Sequence, residues 1–321
     1  MSAAIAVACD DPEVERWASA WIRETRLLPP APLALVLRVV PDLPAGDTRR
    51  GCGSAGPDTR VPFLQPQLEI RSGPPQGDVR MRWLAAPARA VIAQGAGTAC
   101  VELSPAALAD RDALGRVFLT MVLILLLRRA GWHHVHAALA RDPRGREWLF
   151  AGDAQTGKST TAALLATRGW AVGTDDAAFL ARGPFGAGVE AVAQRAPIAL
   201  RPAGCDLLGL VGGTEARGGR KTAFFPEELG GTWTSRVRPR VLVFPRIGGT
   251  REGEATTASP MAPREALAEL VRWSAWVMLE PELAQEHLDM LAALARQASS
   301  WRVALAPDLF RRPDLLMELV P

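Results

Sequence analysis

The chain has 321 residues and 48% hydrophobic content, enough for one large domain or two modest ones, which excludes a disordered, collagen-like or coiled-coil protein. Its 37 basic and 34 acidic residues nearly cancel and are spread along the chain, which argues against nucleic acid as a partner. Every basic residue except Lys158 and Lys221 is Arg, so chemistry rather than composition is expected to have placed those two lysines.

Cys9, Cys52, Cys100 and Cys205 lie far apart, with no C-x-x-C pair and no His cluster at metal spacing, so neither a disulfide framework nor a structural zinc site is expected. The first residues, MSAAIAVACDDPE, lack a basic leader and turn acidic early, so the expected location is the cytoplasm. The apolar run Val117 to Leu127 is about half of what a bilayer requires and is followed by Arg128 and Arg129. A buried helix is expected there, and no membrane partner.

In chain order, Asp11-Pro12-Glu13 predicts a helix start, with Val14, Trp17, Ala18, Trp21 and Ile22 recurring at helical spacing. From Leu33 to Leu103, apolar stretches alternate with Pro, Gly and Asp, the pattern of strands and turns, with Gly46 to Asp58 as a loop. Ser104-Pro105 predicts the cap of one long helix reaching about Ala130. A domain boundary at 104/105 follows, separating a β-rich region 1–104 from an α/β domain 105–321. Within the second part, HHVHAALA, the turn Asp142 to Gly145, EWLFA, GDAQTGKS, TTAALLATRG and WAVGT read as strand, turn, strand, loop, helix and strand. RVLVFP predicts a further strand, two helices follow near Pro263 to Met278 and Pro281 to Ala298, and Trp301 to Ala306 predicts a last strand before a short terminal helix.

Gly152-Asp153-Ala154-Gln155-Thr156-Gly157-Lys158-Ser159 fits G-x-x-x-x-G-K-[ST], a loop whose backbone N–H groups and following helix N-terminus hold polyphosphate. Lys158 would reach the β and γ phosphates, and the Ser159 hydroxyl would ligate Mg²⁺. If the crossover helix returns Trp170 to Thr174 parallel to EWLFA, Asp175 and Asp176 end at the same sheet edge, where a metal-bound triphosphate needs one carboxylate for Mg²⁺ and one as base. A tight turn at Asp142 to Gly145 pairs HHVHAALA with REWLFA and sets His136 opposite Ala151, close enough to orient a carboxylate. His133 and His134 read as an exposed strand start. Arg201, Lys221 and Arg246 are candidate phosphate or substrate clamps, and the loop's nucleotide contacts would extend to Thr160.

The order V-H-A-A, hairpin, G-x-x-x-x-G-K-S-T, helix ending R-G-W, then T-D-D resembles the core of the HPr serine kinase family, a core shared more distantly with ATP-dependent phosphoenolpyruvate carboxykinase. The match is specific from about Trp132 to Leu180 and looser to about Pro307. Thr160 stands where HPr kinases usually carry an acidic residue, and Ala199-Leu200-Arg201-Pro202 is the nearest counterpart of their Glu-Ile-Arg-Gly signature. These departures turn the likeness toward smaller HPr-kinase-related proteins found beside genes for ribosomally made, modified peptides, some of which resemble peptide serine kinases. The resemblance implies an α/β P-loop core with a mixed sheet, ATP and Mg²⁺ as cofactors, and transfer of the γ-phosphate to a serine hydroxyl on a peptide or small protein. In it Asp175, oriented by His136, accepts the hydroxyl proton while Asp176 and Ser159 hold the metal, with the two Asp roles open to exchange. A small-molecule phosphotransferase and a nucleotide-gated binding protein are the alternatives. The N-terminal region is expected to serve substrate recognition or dimerisation, the latter making a homo-oligomer.

Overall fold

The computed structural model describes residues 5–43, 59–61, 68–72, 77–93, 95, 97–186, 188–216, 220–249, 253–274 and 280–321, so the loop expected at Gly46 to Asp58 lies outside the described residues. The protein is mixed α/β with several mixed sheets. It divides into two compact units, Met1–His133 with Trp276–Glu286, and His134–Ala275 with His287–Pro321. None of the described helices is long and apolar enough to cross a membrane.

The first unit contains β1 (Ile5–Cys9), α1 (Pro12–Thr25), β2 (Leu33–Val39), β3 (Thr59–Val61), β4 (Leu68–Ser72), β5 (Val79–Trp83), β6 (Ala88–Ile92) and β7 (Thr98–Leu103). Helix α1 starts where expected, with the Asp11 carboxylate accepting the N–H groups of Glu13 at 2.8 Å and Val14 at 3.1 Å. The strands form one sheet in the order β1-β2-β7-β6-β5-β4-β3, with β1, β2 and β7 parallel and the rest antiparallel. Alternate residues point one way: Leu33, Leu35, Leu37, Met81, Ala90 and Val101 are buried, and their neighbours face outward.

The single helix expected over 105–130 is broken into α2 (Pro105–Leu108), α3 (Arg111–Ala113), a π-helical stretch at Leu114–Leu119 and α4 (Thr120–Arg129). Asp110 restarts the helix by accepting the Ala113 N–H at 2.9 Å. The π turn passes Trp21, whose Nε1 would lie 3.0 Å from a Cβ at Gly115, so a side chain there would require the indole to give way. Helix α4 carries the apolar run, with Leu123 to Leu127 buried, and packs on β6 and β7. The unit boundary therefore falls at 133/134, not 104/105, because the helical stretch covers the N-terminal sheet. A later piece of chain completes this unit. Glu280, buried, accepts Arg129 Nε at 2.8 Å and lies 3.6 Å from Arg128 Nε, while Arg129 also donates to the carbonyls of Ile92 and Gly77. Burial holds the Arg128 guanidinium down at about 10, against the opposing pull of Glu280 and Glu286.

The chain enters the second unit along β8 (His133–Val135). There follow β9 (Ala137–Arg141), β10 (Glu147–Ala151), α5 (Lys158–Ala166), β11 (Ala171–Thr174), β12 (Ala178–Arg182), β13 (Val189–Ala193), β14 (Ile198–Leu200), α6 (Pro202–Leu208), β15 (Thr214–Ala216), β16 (Lys221–Phe224), β17 (Thr232–Trp233), β18 (Arg236–Val237) and β19 (Val241–Ile247). The chain closes with β20 (Thr257–Met261), α7 (Pro263–Arg272), α8 (Pro281–Gln297), β21 (Ser299–Leu305), α9 (Asp308–Arg311) and α10 (Leu315–Leu319). The main sheet runs β17-β11-β9-β10-β19-β21-β20, beside smaller sheets β18-β13-β12-β8 and β14-β16-β15. Strands β10, β19 and β21 are parallel neighbours, whereas β9 is antiparallel to both β10 and β11. Thus β11 is parallel to β10 as expected but separated from it by β9.

The β9–β10 hairpin forms with a shifted register. Ala137, not His136, lies opposite Ala151. The connection is longer than a tight turn because the Asp142 carboxylate, buried, accepts the N–H groups of Arg144 and Arg146 at 2.9 Å each and Trp148 Nε1 at 3.1 Å. This keeps Arg146 in the loop and moves the pairing by one residue. Trp148 then stacks beside Phe150 and Trp170 in the core that supports α5.

Candidate active site

Strand polarity decides what meets at one edge of the main sheet. The carboxyl ends of β10 and β11 and the amino end of β9 all lie there, so the loop after Ala151, the turn after Thr174 and His136 converge. Lys221, at the start of β16, also comes within electrostatic reach of Asp175 and Lys158.

The loop Gly152 to Ser159 leaves β10 and enters α5. Gly157 caps the helix at φ 98°, a conformation that suits glycine, and a Cβ there would stand 2.7 Å from Leu305 Cδ1. Gln155 also adopts a left-handed conformation, φ 67°, strain of the kind stored at functional loops. Asp153 accepts the Ala154 N–H with its carboxylate, and its carbonyl accepts the Thr156 hydroxyl at 2.9 Å. Among the described residues no side-chain cap bonds the N-terminus of α5, an arrangement that leaves its first N–H groups to an anion. Lys158 is buried, and its ammonium donates to the carbonyls of Gly152 and Asp153 at 2.6 Å each. Burial pushes its pKa down to about 8, against the lift from Asp176, Asp175 and Asp153.

The acidic pair is set by a bulge. The pairing of β11 with β9 shifts between Val172 and Thr174, with Gly173 between them. Trp233 Nε1 donates to the Gly173 carbonyl at 2.8 Å, and a Cβ at Gly173 would meet Thr234 O at 2.6 Å and Ala193 Cβ at 2.8 Å. Thr174 Oγ1 then accepts the N–H groups of Asp176 at 3.3 Å and Ala177 at 3.2 Å, holding the turn. Gly173→Ala should cost about 1–3 kcal/mol of stability, read as a lower urea midpoint, because backbone and Ala193 both stand in the way of the methyl.

Beyond the bulge the two carboxylates part. Asp175 is buried and accepts the Ser159 hydroxyl, whereas Asp176 is exposed and lies 2.7 Å from His136 Nε2. The sequence expectation left the two Asp roles open to exchange, and the structure sets Ser159 with Asp175 and His136 with Asp176. Burial, reinforced by Asp176, raises the Asp175 carboxyl to about 6, while Ser159 and Lys221 work to lower it.

The other histidines differ from expectation. His133 is buried, with Nε2 3.8 Å from Glu286, and His134 packs edge-on to Phe179 at 5.7 Å between ring centres. They are not an exposed strand start, because the chain breaks at His136 and β8 joins a different sheet from β9. Burial drops His134 to about 4, partly offset by Asp176. A histidine with a depressed folded pKa stabilises fully above its unfolded value near 6.5, and that contribution is lost as pH falls toward 4. Between pH 7 and 4.5 the wild type should therefore lose about 2 kcal/mol more unfolding free energy than His134→Gln, measured by urea titration.

Of the remaining candidates, Arg201 is exposed at the start of α6, whose Gly204 approaches the Thr160 hydroxyl in the first turn of α5. Arg246, at the exposed carboxyl end of β19, lines a groove of about 580 Å³ with Gly248, Glu254 and Thr257. Parallel pairing with β10 puts this groove on the opposite side of the phosphate-type loop from β9. Sequence reasoning overlooked Gly173 and Thr174; an isolated Gly inside a strand pattern was the available signal.

Among the described residues no group of three or more His, Cys, Asp or Glu side chains could hold a metal by itself. A Mg²⁺ bound mainly by phosphate oxygens and water needs only one or two protein ligands, and the Ser159–Asp175 pair fits that requirement. No family model matches the chain, and a search of curated proteins finds no match.

Proposed function

We propose that the chain is an ATP- and Mg²⁺-dependent kinase that phosphorylates a serine hydroxyl on a peptide or small protein. The observation that carries this reading is the convergence at one sheet edge of a phosphate-type loop with its buried lysine, a Ser–Asp pair and a His–Asp pair. The loop N–H groups and the α5 N-terminus would cradle the phosphates, and Lys158, turning from its carbonyl partners, would neutralise their charge. Ser159 and Asp175 would hold Mg²⁺, which when bound neutralises charge on the phosphates. The nucleoside end would lie toward the Arg246 groove, away from the carboxylates.

Asp176, oriented by His136, accepts the serine hydroxyl proton as the serine oxygen forms its bond to the γ-phosphorus. The bond from that phosphorus to the β,γ-bridging oxygen breaks, and its electron pair leaves with ADP. Lys221, near Asp175 and Lys158, adds positive charge beside the same phosphates.

Incubating the purified chain with γ-labelled ATP, Mg²⁺ and serine peptides, including those encoded beside its gene, tests this. Label on serine supports the reading. Label on a small-molecule hydroxyl alone, or nucleotide binding with no transfer to any acceptor, would replace it.

A further inference from the structure

Strand β13 ends beside the acidic turn. One residue past it, the Gln194 N–H donates to the Ala177 carbonyl at 3.3 Å, extending the Ala178–Ala193 pair, so Gln194 stands across from the residue that follows Asp176. Ala193 faces Gly173 in the main sheet, and alternation turns Gln194 to the other face, the face of Val192 and its partner Phe179. His134 packs on Phe179, and His136, two residues further along, reaches Asp176. Gln194 thus lies on the histidine face, at the end where His136 meets Asp176. It is only 8% exposed, and among the described residues its Oε1 has no hydrogen-bond partner. A buried acceptor left so costs stability that an apolar side chain of similar size would recover. The setting is firm: Arg195 stacks over Phe225 and Trp233, 4.7 and 5.3 Å from their ring centres, and pairs with Glu227 at 2.9 Å. Trp233 also donates to the Gly173 carbonyl, so one indole steadies both the bulge that parts the aspartates and the strand end that carries Gln194.

We propose that Gln194 holds the acceptor by its main chain, Oε1 accepting a backbone N–H at or next to the serine whose hydroxyl meets Asp176. The chemistry of the group selects the occupant. An acceptor oxygen beside a carboxylate calls for an N–H or O–H donor and disfavours phosphate, and a carboxamide, with one acceptor and two donors, can pair with both the N–H and the C=O of a peptide group. A simple alcohol offers no such pair, so Gln194 would favour serine within a peptide over a free hydroxyl compound. The identity of that peptide as the phosphate acceptor rests on the kinase reading.

The test uses the full chain with Mg²⁺, a non-hydrolysable ATP analogue and fluorescently labelled serine peptides encoded beside its gene, read by anisotropy. The tightest-binding peptide is remade with the N–H methylated at the serine and, separately, at each flanking residue. Gln194→Leu should bind the parent peptide about tenfold more weakly, with affinity for the ATP analogue kept. It should melt no lower than wild type, because it removes the buried acceptor. One of the three methylations should cost the wild type about tenfold and cost Gln194→Leu almost nothing, as expected when both changes delete the same hydrogen bond. Gln194→Met serves as the second variant. Peptide affinity unchanged in both variants, a methylation loss equal in wild type and variants, failure of both variants to fold, or no peptide binding by the wild type would overturn the proposal. Transfer of label to serine with KM for the peptide unchanged in both variants would remove Gln194 and leave the kinase reading. Peptide binding that depends on Gln194, without phosphoryl transfer to any acceptor, would keep the contact and remove the kinase reading.

Discussion

Lys158→Met should reduce phosphoryl transfer on the order of 10³-fold, the scale at which removal of a phosphate-directed cation acts. Methionine retains the length and burial of the side chain, so it separates charge from packing, whereas alanine would also leave space behind the loop. Because the ammonium closes the loop onto the carbonyls of Gly152 and Asp153, amide exchange in the loop should quicken in the variant even without nucleotide. With a pKa near 8, the wild-type lysine is charged at neutral pH and loses its proton above that, so nucleotide affinity should decline as pH rises past 8. Activity within tenfold of wild type in Lys158→Met would remove the lysine from the chemistry.

Asp176→Asn and Asp175→Asn should fail in different ways. Asp176→Asn should lower turnover by about 10²- to 10⁴-fold with nucleotide affinity kept, since its carboxylate faces His136 and solvent. Asp175→Asn should lose Mg²⁺-dependent nucleotide affinity, since its carboxylate is joined to Ser159. His136→Ala should cost about 10²-fold alone and add little to Asp176→Asn, as expected for residues acting as a unit. Below about pH 6 Asp175 takes up a proton, so Mg²⁺-dependent binding measured calorimetrically should weaken at pH 5 relative to pH 7.5. If Asp175→Asn kept its metal dependence while Asp176→Asn lost it, the pairing seen here would not be the working one.

Much of the site was legible because its parts are local. A Gly-rich loop between a strand and a helix, and an Asp pair after the next strand, announce themselves by spacing. The insertion of β9 between β10 and β11 is a non-local pairing that no spacing encodes. The register of the β9–β10 hairpin was missed because Asp142 organises its own loop through side-chain hydrogen bonds, which lengthens the connection. The division of labour between Asp175 and Asp176 turns on the bulge at Gly173, where adjacent residues are aimed apart. Neither could be counted from the sequence. The burial of His133 and the packing of half-buried His134 against Phe179 follow from the chain changing sheets at His136, a tertiary choice that overrides the polarity of the side chains.

The return of Glu280 to the first unit bears on how the protein can be taken apart. A single cut near 133 yields an N-terminal fragment in which buried Arg128 has lost its counter-ion, a loss on the scale of about 3–5 kcal/mol. The complementary fragment carries the 280–286 stretch without the helix and sheet it packs with in the intact chain. Expression as two halves should thus give one unstable piece and one sticky piece, and co-expression should recover both. The interleaving makes the order of synthesis matter as well. The N-terminal unit cannot complete its charge network until most of the remaining chain has left the ribosome.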